Sequence, residues 1–234
     1  VGILTLAREI GDYLTERETW RMGSLAAQDG IISTAGILLG FAGAGADAAT
    51  LMVAGQAAIV AGMLTAGGAQ WSERAGQREA ELNAIVEERR ELREQPEVER
   101  AELIAHYAAK GLDAKLAAEV AAALMQRSPL RAVLESGHGI LELTTRTKVV
   151  LTGLGFALAY GLGAAIPFAI LYYLPVDIEL GVIVFAVLVS LALISVVGAR
   201  IGRMNLRGTM MRPLLVATVT IVVSYLVGVA GPEV

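Results

Sequence analysis

Residues 149–171 read VVLTGLGFALAYGLGAAIPFAIL, 23 residues without a charge. About 20 mostly apolar residues in a helix cross the ~30 Å hydrocarbon core of a bilayer. This run is therefore long and apolar enough to span. Four other stretches meet the same test: residues 24–45, 48–71, 178–199 and 213–230. The first two are richer in Gly and Ala than the rest, and small residues let helices approach closely in lipid. They are expected to be the inner, functional pair. The fold class that follows is an all-α membrane protein, with five transmembrane helices and a cytoplasmic helical insert between helices 2 and 3.

The whole-chain averages agree. Of 234 residues, 55% are hydrophobic and 18% charged, and mean hydropathy is +0.60. A soluble domain carries about 25% charged residues, so a soluble enzyme is disfavoured. A net charge of −4 gives no electrostatic case for nucleic acid. With no cysteine there are no disulfides, thiolate metal ligands or thiol nucleophiles. No nucleophile–base pair, phosphate loop or histidine cluster points to an enzyme. Only two histidines are present, His106 and His138, so a metal would fall mainly to carboxylates. Each histidine is expected to be an ordinary polar position.

The charges are concentrated. Residues 73–148 hold 12 basic and 14 acidic side chains, while residues 149–199 hold only Asp177 and Glu179. Four parts follow: an amphipathic interfacial helix (1–21), transmembrane helices 1–2 (22–72), a cytoplasmic helical metal-binding domain (73–148) and transmembrane helices 3–5 (149–234). Residues 1–20 lack the basic start and small-residue cleavage site of a signal peptide. The chain opens on Val1 rather than Met, as a trimmed chain does. Arg8, Arg17 and Arg21 precede the first span, and Arg200, Arg203, Arg207 and Arg212 separate the fourth from the fifth. Basic loops stay on the cytoplasmic side, so the N-terminus and insert are expected there. The C-terminus falls opposite.

In the insert, the second span is expected to run on as one helix to Pro96. Helices over 97–110 and 114–126 follow, the latter capped by Asp113, and then a shorter piece from Ser128-Pro129 to Glu135. Two carboxylate pairs repeat one spacing, Glu88 with Glu91 and Glu99 with Glu102. Residues three apart share a helix face, so each pair can converge on one cation. Carboxylates suit Mg²⁺, Mn²⁺ or Fe²⁺. Spacing alone is also what a solvated Glu/Arg face shows, with pairs such as Glu87–Arg90. In the first span Asp29 is costly in lipid and marks a functional position by default. Its alternative is an interfacial Asp near a helix start. Met63 in the second span offers a thioether, though membrane methionines usually pack. Pro167 is expected to mark a kink in the third span.

Two stretches carry a family resemblance. MGSLAAQDGIIST (residues 22–34) resembles the first-span pattern G-x-x-D-G-(I/L)-(V/I)-(S/T) of the vacuolar iron transporter family. VAGMLTAGGAQWS (60–72) with QREAE (77–81) is similar to that family's second-span pattern. The resemblance implies a homodimeric metal/proton antiporter that exports Fe²⁺ or a similar ion from the cytoplasm. The membrane would be the plasma membrane in a bacterium and vacuolar-type in a eukaryote. It further implies that Asp29 is the transport carboxylate. Glu88, Glu91, Glu99, Glu102 and Glu135 would collect the metal, with Glu18 at the cytoplasmic mouth. The departures are specific. The family's leading Gly is Ala26, its second-span Met is Ala66, and its second-span Glu is Gln70. Its insert thioethers fall on Arg131 and Ala132. Met63, one turn before Ala66, is the available substitute. Loss of soft donors leaves Mn²⁺, Zn²⁺ and other divalent ions open beside Fe²⁺. It also keeps a rival reading, a non-transporting metal sensor or anchor whose Glu/Arg-rich insert docks a partner.

Overall fold

The computed structural model describes residues 3–173 and 180–231. Among them all regular structure is helical, in nine helices. Five are long and apolar enough to cross a membrane. The chain divides into two compact units, residues 1–72 with 147–234, and residues 73–146.

The first unit is built around α2 (Arg17–Gly43). Half of its most apolar window is buried by neighbours. Ile31, Ala35 and Leu39 of α2 pack with Val187 and Leu191 of α8 (Leu180–Gly202) and with Ala217 and Ile221 of α9 (Leu206–Ala230). Lipid tails are as apolar as these side chains, so close fit and polar contacts, rather than escape from water, hold such helices together. Two glycine crossings show how close the fit is. A Cβ on Gly30 would strike the carbonyl oxygen of Tyr160 in α7 (Arg146–Tyr173), and one on Gly163 of α7 would strike the backbone of Ala27. Between α2 and α9, a Cβ on Gly228 would meet the carbonyl of Gly40. The buried Gln28 amide donates to Ser195 Oγ of α8 at 3.3 Å, joining two helices where no water is available to either group.

The expected inner pair divides in the single chain. α3 (Ala48–Glu94) has only 11% of its most apolar window buried, against 50% for α2. Its contacts in this unit include α7, where Gly67 lies against Gly153 and Ala157, and α2, where Gly55 lies against Leu38. Val53, Val60, Leu64 and Trp71 of α3 are exposed.

Several boundaries differ from the sequence reading. The N-terminal amphipathic stretch breaks at Glu16, in an extended conformation, so α1 covers Ile3–Thr15 and the first span starts at Arg17. Glu18 and Arg21 then fall in the first turns of α2, where they pair. α9 begins at Leu206 rather than Pro213, because the Asn205 side chain caps it by accepting from Arg207 N at 3.1 Å. α7 continues through Pro167, which is fully buried. Asp177, Glu179 and Glu233 lie outside the described residues.

The second unit takes the charged end of α3 and adds three helices. Pro96 occupies the first turn of α4 (Pro96–Ala109), where its missing N–H costs nothing. Gly111, at φ +97, supplies the left-handed turn that releases the chain from α4. Asp113 caps α5 (Ala114–Arg127), accepting from Leu116 N at 2.9 Å. α6 (Pro129–His138) ends on left-handed Gly139. Leu103 of α4, Ala121 of α5 and Ala132 of α6 form the small core. Buried Glu81 of α3 accepts from Thr144 N at 2.7 Å and Thr144 Oγ1 at 2.8 Å, fixing the segment that precedes α7.

Candidate metal centre

The break at Gln95 and Pro96 separates α3 from α4, and the carboxylates near it come together. Glu88 and Glu91 of α3 and Glu99 of α4 each bring one carboxylate oxygen within 4.8 Å of the other two. Opposed donors around an ion with bonds near 2.1–2.2 Å lie about 4.3 Å apart. Small rotamer changes therefore close this trio on one cation.

Burial makes the cluster costly without compensation. Glu88 and Glu99 are only 7% and 6% exposed. Burial pushes the Glu99 carboxyl up to about 7, helped by repulsion from Glu88, Glu102 and Glu91 and by a hydrogen bond shared with Glu88. Oε1 of Glu88 lies 2.9 Å from His138 Nε2 at the end of α6. Oε2 of Glu88 is buried and receives no hydrogen bond from a nitrogen or hydroxyl donor. Two things can satisfy that oxygen: the proton held by Glu99, or a cation.

The other residues singled out in the sequence are placed differently. Glu102, one turn beyond Glu99, is exposed and acts on the trio through its charge. Glu135 is exposed on α6 and stands outside the trio. Of the positions where the resemblance puts thioethers, Arg131 is exposed and Ala132 belongs to the apolar core, so neither brings a soft donor. Both Glu18 oxygens are engaged by Arg21, with Nε donating to Oε2 at 2.8 Å and Nη2 to Oε1. Met63 packs against Tyr160, Ala164 and Ala26, its sulfur close against Gly161. In these surroundings it fills space between α3 and α7.

Asp29 is exposed on α2, while Gln28 and Gly30 on either side are buried. It belongs to a stripe of four-residue spacing, Leu25, Asp29, Ser33, Ile37 and Phe41, of which all but the half-buried Ser33 are exposed. In a membrane-spanning segment, this single-chain exposure would present the carboxylate to lipid or to another protein surface.

His138 is the member of the site that the sequence reading passed over. It lies three residues after Glu135, on the same face of α6. That local spacing carries no hint of its partner, which is 50 residues away.

Comparison with known proteins adds two findings. The model of a family described as the VIT family matches residues 21–229. A protein named vacuolar iron transporter, from Acanthamoeba castellanii (strain ATCC 30010 / Neff), is 30% identical over 187 residues, covering 80% of this chain and 68% of that protein.

Proposed function

The chain belongs to the VIT family, and on that premise we propose that it moves Fe²⁺ or a similar divalent ion out of the cytoplasm across its membrane in exchange for protons. The observation that carries this reading is the trio of buried Glu88, half-buried Glu91 and buried Glu99, which concentrates negative charge where a proton or a divalent cation relieves it. The relative's name favours iron. The donors themselves are all carboxylate oxygens, which also suit Mn²⁺.

The trio is the collecting site. When a cation enters, Glu99 gives up its proton and the three carboxylates turn their oxygens to the ion, so metal and proton compete for one group. Glu102 adds negative charge beside the trio. Asp29 is the carrier within the first span, taking the ion and the proton in turn, which couples the two fluxes. Two copies of the chain form the working unit. The exposed stripes of α2 and α3 support this, because pairing would remove the Asp29 carboxylate from lipid. The N-terminus and the charged unit face the cytoplasm, following the basic residues around the spans.

Titrating Mn²⁺ into the purified full chain by calorimetry tests the collecting site. Wild type should bind, and Glu91→Ala should weaken binding at least about tenfold, as losing a charged ligand does. Equal affinities in the two proteins would remove the trio from the mechanism.

A further inference from the structure

We propose that His138 is a positioning residue for the carboxylate site: it holds Oε1 of Glu88 so that Oε2 is the oxygen presented to the cation. The proposal rests on the collecting-site reading above and adds a residue to it.

An ionised carboxylate oxygen only accepts hydrogen bonds. When Glu88 is ionised, as a metal ligand must be, His138 Nε2 at 2.9 Å is the donor and Glu88 Oε1 the acceptor. That contact restrains the Glu88 side chain, only 9% of which is exposed. The second oxygen, Oε2, is buried and has no donor of its own. A side chain pinned by one oxygen, with the other sealed from water and without a nitrogen or hydroxyl donor, has the form of a ligand oriented by an outer partner. Outer-shell hydrogen bonds of this kind fix ligand geometry.

His138 is placed to act through Glu88 rather than beside it. The three oxygens that gather within 4.8 Å belong to Glu88, Glu91 and Glu99, and the imidazole is not among them. The arrangement also ties the site to the small core. His138 closes α6, whose Ala132 packs with Leu103 of α4, the helix that carries Glu99. One short helix thus holds Glu88 by a hydrogen bond and packs against the element bearing Glu99.

The test is Mn²⁺ calorimetry on the full chain at pH 7.5, comparing wild type, Glu91→Ala, His138→Ala and His138→Gln. Circular dichroism of each variant reports the helical fold. His138→Ala should weaken binding by about 10–100-fold, the range for loss of an outer-shell partner. His138→Gln, whose amide can also donate to Oε1, should stay within about threefold of wild type. Recovery by Gln is the readout that a merely space-filling histidine would not give. Should His138→Ala fail to fold, the Gln variant still decides, since weak binding in that folded protein overturns the proposal. Wild-type affinity in His138→Ala overturns it too, as does Mn²⁺–nitrogen coupling from the ¹⁵N-labelled imidazole, which would make His138 a direct ligand. If wild type binds and Glu91→Ala does not, those results remove His138 alone. If wild type binds no metal, the collecting-site reading falls with it.

Discussion

If the trio collects the metal as proposed, Glu99 should set the pH range in which it holds a cation. Its carboxyl is raised to about 7 by burial first and then by the neighbouring glutamates. A ligand carboxylate must be ionised, so bound metal displaces its proton. The apparent dissociation constant should then rise as pH falls, by a factor of 1 + 10^(7 − pH). That is about twofold at pH 7, about elevenfold at pH 6 and about a hundredfold at pH 5. Below that, ordinary carboxylates begin to protonate as well. Stability without metal should move the other way. The folded state keeps the Glu99 proton to about 7, whereas an unfolded chain releases it near 4.5. Stability is therefore full below 4.5 and declines as pH rises through 7. Solvent screening reduces the loss to on the order of 1 kcal/mol. Glu99→Gln mimics the protonated form. It should bind Mn²⁺ weakly, show little pH dependence between 5 and 8, and melt higher than wild type at pH 8 but not at pH 5. Calorimetric titrations and thermal melts of the full chain at pH 5, 6, 7 and 8 measure all of this. A wild-type affinity that is flat between pH 6 and 8, or a slope unchanged in Glu99→Gln, would show that the metal and the Glu99 proton do not compete.

Three further outcomes follow from the packing. Gly30→Val should disrupt the crossing of α2 and α7, because its side chain meets Tyr160 backbone rather than a movable group; size-exclusion chromatography in detergent should show loss of monodisperse protein, while Gly68→Ala, which has open space around it, should elute as wild type. Leu103→Ala, at a position 1% exposed in the core of α4, α5 and α6, should destabilise the charged unit by about 2–4 kcal/mol and increase proteolysis within residues 96–138. Asp113→Ala removes the α5 cap and should cost about 1 kcal/mol, read as a small fall in melting temperature, with Asp113→Asn close to wild type.

The membrane helices were legible because hydropathy and charge are properties of a run, and a 20-residue run needs no partner to be recognised. The Asp113 cap and the break at Pro96 were legible for a related reason, since caps and breakers act over three or four residues. The carboxylate site was only half legible. The repeated three-residue spacing put Glu99 and Glu102 on equal terms, but Leu103 decides between them. Glu99 and Leu103 are four residues apart and turn inward together, leaving Glu102 exposed. His138 could not be found from spacing, because its tie to Glu88 forms only when the end of α6 comes beside that residue, 50 positions away. The same limit applied to α3. Its glycines and alanines suggested an inner helix, but small residues permit close packing without saying how many neighbours will come.

We propose that this chain moves a divalent ion across a membrane through Asp29. The direct measurement is Mn²⁺ flux in proteoliposomes carrying a pH gradient, with internal metal and internal pH followed by two dyes, for wild type and Asp29→Asn. Metal uptake with opposite proton flow is expected in wild type and neither in Asp29→Asn, while Mn²⁺ binding measured by calorimetry stays intact in both. Binding without flux in wild type, or full flux in Asp29→Asn, would contradict it.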